Sequence, residues 1–216
     1  MSFLSPDSAF MRSLGSIVDA IVVTVLMAVS SIPLVTIGAA ATAGHDAIRK
    51  SLIGQGHLGK NSWRAFRGNL GKATALWGIF AAALLVEVYA VFFMPQTMML
   101  VPKFALAIVW LIGFEWVWAF QARFENSVGR TMANAYVVGV SHIGATLLLI
   151  AIDAVYAAIV VGSWIYMPEG LFLLGLLGYG MLIMLHTPII ERVFRPLVAA
   201  SEESGDDDGS DRAPMP

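Results

Sequence analysis

Cysteine is absent from the 216 residues, which excludes disulfides, thiolate nucleophiles and zinc or iron–sulfur centres built on sulfur. Charge is nearly as scarce. Asp, Glu, Lys and Arg make up 13% of the chain, against about a quarter in soluble proteins. There is no phosphate-cradling Gly-Lys loop, no nucleophile elbow, no His pair at metal-ligand spacing on a helix and no basic nucleic-acid domain. The sequence therefore predicts no enzyme, no metal site, no cofactor and no nucleic-acid partner.

What the chain has in quantity is apolar surface: 58% hydrophobic residues and a mean hydropathy of +0.76. A water-soluble fold could not hide this much of it. Five runs are long enough to cross a hydrocarbon core of about 30 Å, which takes roughly 20 apolar residues. They cover about 14–37, 73–94, 99–120, 135–164 and 170–190. The first carries Asp19 and, near its far end, Pro33, so its helix should bend or stop near Ser31. A signal peptide is the competing reading of this run, disfavoured by its length and the lack of a small-x-small cleavage site. Pro95 and Pro102 between the second and third runs predict a tight antiparallel hairpin.

The expected fold is an all-α, polytopic transmembrane bundle of five spans occupying 1–198. Lys and Arg resist translocation, and they concentrate after the first span (Arg49, Lys50, Lys60, Arg64, Arg67, Lys72), after the third (Arg123, Arg130) and after the fifth (Arg192, Arg195). Arg12 and Lys103 stand on the other side. For five successive crossings this asymmetry puts the N-terminus outside and the C-terminus in the cytoplasm. The formal net charge of −2 hides a mildly basic membrane body, because the end of the chain is strongly acidic. That end, 199–216, reads as a disordered cytoplasmic tail. Residues 61–72 read as an amphipathic cytoplasmic segment capped by Asn61 or Ser62. Trp63, Phe66 and Leu70 recur at helical spacing among cationic side chains, which suits an anionic headgroup layer and, second, a docked partner.

Three stretches together resemble the YesL family of bacterial integral membrane proteins, a domain of unknown function. They are Ser30 to Ala39 (SSIPLVTIGA), Phe66 to Trp77 (FRGNLGKATALW), and Arg123 to Ser127 (RFENS) with Thr131, Asn134 and Ala135. The resemblance implies a multi-pass protein of the bacterial cell membrane. It also implies association with carbohydrate uptake, with ABC-type sugar-transporter subunits as partners, but it names no reaction. A homo-oligomer is compatible with five short spans.

Ionisable residues inside a membrane are costly and therefore candidates for function. At about 1.5 Å per residue, Asp19, Glu87 and Asp153 all fall in the outer half of the predicted bundle. If they converge, they form an intramembrane polar site able to bind a cation, bond sugar hydroxyls or exchange protons. The alternative is that each bonds to a neighbouring helix and holds the bundle together. Glu115 and His186 fall nearer the cytoplasmic ends, where water would reach them, and His142 reads as a satisfied packing residue. Arg123, Glu125 and Asn126 form the densest polar cluster near a membrane surface. They are a candidate cytoplasmic contact site, with capping and a local ion pair as the structural alternative. The leading functional expectation is an accessory component of carbohydrate uptake; the second is a small secondary transporter or channel that uses intramembrane carboxylates.

Overall fold

The computed structural model describes residues 9–55, 57–94 and 96–210, with side chains from 11 to 199 except that of residue 12. Every regular element among them is helical. Seven α-helices follow one another: α1 (Ala9–Ser30), α2 (Ile37–Leu52), α3 (Leu58–Phe93), α4 (Leu100–Arg123), α5 (Val128–Ser141), α6 (Ile143–Tyr166) and α7 (Gly170–Ser210). Five of them, α1, α3, α4, α6 and α7, are long and apolar enough to cross a membrane. Their outward surface carries large apolar side chains such as Val86, Phe92, Phe93, Leu147 and Val155, as lipid-facing helices require.

Helix α1 ends at Ser30, where the sequence predicts a stop, and Pro33 leads into a short 3-10 turn. The following α2 is the element the hydropathy pattern does not reveal. Its first half, Gly38 to Gly44, is built entirely of small residues, and every residue from Gly38 to Ile48 is buried. Small side chains let neighbouring backbones approach closely where no hydrophobic effect drives helices together. At Gly38 a Cβ would lie 2.3 Å from the Ala73 carbonyl oxygen and 2.8 Å from Trp77, so α2 and α3 touch backbone to backbone. On another face Gly44 takes the side chain of Met27 from α1.

Helix α3 is one helix of 36 residues, and the amphipathic segment 61–72 forms its first turns. It begins at Leu58, before the expected cap at Asn61 or Ser62, because His57 adopts a left-handed conformation (φ 70°) that starts the helix there; Ser62 is buried inside it. Trp63 stacks on Phe66 at 5.7 Å, Arg67 lies 6.0 Å from the Trp63 ring, and Trp63 and Leu70 remain exposed. Helices α3 and α4 form the predicted hairpin around the Pro95 segment, with Trp110 Nε1 donating to the Phe80 carbonyl at 2.8 Å. Trp116 and Trp118 of α4 are buried and belong to the core.

The single run expected over 135–164 is divided at His142 into α5 and α6, and α7 is broken at Gly178 (φ 38°, ψ −143°). Backbone groups freed inside a bilayer must find internal partners. A threonine supplies them at each break. Thr146 Oγ1 donates to the Gly139 carbonyl at 2.7 Å and accepts from Trp116 Nε1 at 2.9 Å. Thr24 Oγ1 of α1 lies 2.7 Å from the Leu177 carbonyl and accepts from the Gly180 amide at 3.0 Å.

Helical backbone continues in α7 to Ser210, into the segment whose composition predicts disorder. Extending a packed helix by one residue is far cheaper than nucleating a new one. The remaining residues of that expected tail, 211–216, lie outside the described residues.

Candidate functional site

The three carboxylates expected to share an outer site do not meet one another. Asp19, midway along α1, accepts a hydrogen bond from Ser51 near the end of α2. Glu87 lies on α3 among lipid-facing neighbours, with one carboxylate oxygen buried and no hydrogen-bond partner. Only Asp153 enters a cluster. Its partners are Glu115 and His186, two residues that the sequence places near water and that the structure buries, at 7% and 2% exposure.

Glu115 comes from α4, Asp153 from α6 and His186 from α7, and one ligand atom from each lies within 4.8 Å of the others. His186 Nε2 is 3.2 Å from Asp153 Oδ1, while its Nδ1 is 4.0 Å from Glu115 Oε2. The shorter contact lies within ion-pair distance, but neither His186 Nε2 nor Asp153 Oδ1 has a hydrogen-bond partner. The two atoms are close without being aligned on each other. Asp153 is the open side of the triad, with its side chain about one-third exposed (33%).

Around the triad stand His45 of α2 and Tyr179 of α7, both within electrostatic range of it. His45 is buried, at 6% exposure. His45 also borders a fissure of about 20 Å³ lined by Arg49, Arg123, Thr187 and Glu191. That volume accommodates about one water molecule. On its other flank, Tyr179 faces an apolar cavity of about 350 Å³ bounded by Met27, Ile37, Ala41, Phe114 and Trp118.

The expected cytoplasmic contact site divides in two. Arg123 closes α4 and faces the His45 fissure. Glu125 and Asn126 lie in the turn before α5 and line a separate cavity of about 430 Å³ with Phe120, Phe124, Asn134 and Leu197. The local ion pair between Arg123 and Glu125 does not form among the described residues. Capping does occur in this turn: Ser127 Oγ accepts from the Arg130 amide at 3.4 Å, at the long edge of hydrogen bonding. His142 stands at the α5–α6 break, with Nδ1 3.3 Å from the Val138 carbonyl oxygen.

No sequence spacing announces the triad, since its members come from three helices. What the sequence does offer is that each is an ionisable residue in an otherwise apolar run. No family profile, curated protein or solved structure matches the chain.

Proposed function

We propose that this membrane protein passes cations, protons among them, through the carboxylate–histidine centre enclosed by α4, α6 and α7. One observation carries the reading. Two carboxyl groups and an imidazole are gathered between spanning helices, and no Lys or Arg among the described residues forms an ion pair with either carboxyl. Two uncompensated negative charges in low dielectric are prohibitively costly, so the centre must hold protons or another cation. A group that must be neutralised and is reachable from one side can exchange what neutralises it. Asp153 is the more exposed of the two carboxyls, and His45, within electrostatic range of the triad, borders a fissure that Arg49 and Arg123 line at the basic end of the bundle. Purified protein in sealed liposomes under a pH gradient tests this reading. A proton flux reduced at least tenfold by Asp153→Asn is expected, and equal flux in the wild type and the variant overturns it.

A second reading follows the resemblance to the YesL family: an accessory protein of the bacterial cell membrane that docks carbohydrate ABC-transporter subunits. The cavity bordered by Glu125 and Asn126 favours it, because it combines apolar walls with polar groups in an inter-helix turn. Crosslinked pull-down from the native membrane should then recover transporter subunits from the wild type and lose them with Glu125→Ala/Asn126→Ala. Equal recovery from both would remove this surface from the docking reading.

A further inference from the structure

We propose that Glu115, Asp153 and His186 form a binding site for one divalent transition-metal ion of the zinc or manganese class. The inference deepens the cation reading of the same centre and rests on that centre being a cation site.

The donor set is the first argument. Two carboxylates and one imidazole suit borderline divalent metals. Magnesium and calcium favour all-oxygen shells, and copper(I) favours sulfur, which this chain cannot supply. Separation is the second. Ligand atoms held at about 2.0–2.2 Å from a common ion must lie roughly 3–4 Å apart, close to the 3.2 Å between His186 Nε2 and Asp153 Oδ1. The remaining pairs lie within 4.8 Å.

The third argument concerns the unpartnered atoms. His186 is 2% exposed, and a buried imidazole nitrogen without a partner carries an uncompensated desolvation penalty. Its Nε2 faces Asp153 Oδ1, which is equally unpartnered, in a geometry that satisfies neither as a hydrogen bond. Two donor atoms this close that do not bond to each other leave both lone pairs available to an ion between them. Charge agrees, because a divalent ion neutralises two carboxylates without displacing a neighbouring base. With three protein ligands the ion keeps an open position for water or an exchanging ligand.

The test uses the full chain in mild detergent, stripped with EDTA and dialysed against zinc or manganese chloride, with bound metal counted by mass spectrometry. A single ion per chain is expected, with affinity at least tenfold weaker in Asp153→Asn and Glu115→Gln and lost in His186→Leu. Cobalt(II) loaded into the wild type gives a second readout that needs no variant. Visible bands of nitrogen–oxygen coordination are expected, and a spectrum identical to free aqueous cobalt overturns the site. Stoichiometric metal that persists in all three variants overturns it too. Proton flux without metal binding refutes the metal site and leaves the cation reading standing; metal binding without flux does the reverse.

Discussion

The hydroxyl of Ser51, next to last in α2, donates to the carboxylate of Asp19, midway along α1 and 32 positions earlier. With Met27 of α1 lying against Gly44 of α2, this contact sets the two helices antiparallel. The chain therefore turns at Pro33 and comes back, bringing Ser51 and the neighbouring Arg49 and Lys50 to the depth of Asp19. Arg49 shares the His45 fissure with Arg123 at the end of α4 and Glu191 of α7, which marks that end as the basic one.

The hairpin has a topological consequence. Five spanning helices alone leave the two ends of the chain on opposite sides, whereas a return of the 16-residue α2 alongside α1 adds a crossing and brings them to one side. Tags fused to the two termini are expected on the same side of sealed vesicles, in contrast to the external N-terminus that five successive crossings imply. A protease added to one side should remove both tags or neither, and removal of one alone would restore the five-crossing arrangement.

Thr24 holds the break at Gly178, where the α7 backbone leaves helical geometry and the Leu177 carbonyl would otherwise face hydrocarbon. Thr24→Val keeps the shape and deletes both bonds. A loss of about 0.6–1.7 kcal/mol is expected, the range measured for single hydrogen bonds between membrane helices. Gly178→Ala should cost more, because a Cβ there lies 2.7 Å from the Thr24 methyl and the backbone has positive φ. Thermal unfolding of both variants in one detergent ranks them. Thr24→Val as stable as wild type would show that water satisfies the carbonyl.

How far the sequence could be read depends on whether the signal is local. The stop near Ser31, the Pro95 hairpin and the end of α4 are written in neighbouring residues and appear where expected. Helix α2 was missed because hydropathy detects lipid-facing apolar bulk, whereas a helix surrounded by protein needs small residues and tolerates His45 and Asp46. That Asp19, Glu87 and Asp153 do not converge has a related reason. Depth along a helix is countable, but the side of the helix is not, and Asp19, Glu87 and Asp153 face three different surroundings. Glu115 and His186 were assigned to water because ends of hydrophobic runs were taken for ends of the protein interior.

Glu87 and Asp153 are both carboxyls within apolar helices, and only one belongs to the triad. If intramembrane charge alone sufficed for transport, Glu87→Gln and Asp153→Asn would impair flux alike. The geometry separates them. Glu87 forms no ion pair among the described residues, whereas Asp153 lies 3.2 Å from His186 and belongs with it and Glu115 to one cluster. Proton flux in liposomes is expected to stay within about twofold of wild type for Glu87→Gln and to fall at least tenfold for Asp153→Asn, a difference of about 1.4 kcal/mol or more in barrier height. Equal losses in the two variants would mean that the conducting path follows the lipid-facing side of α3 and bypasses the triad.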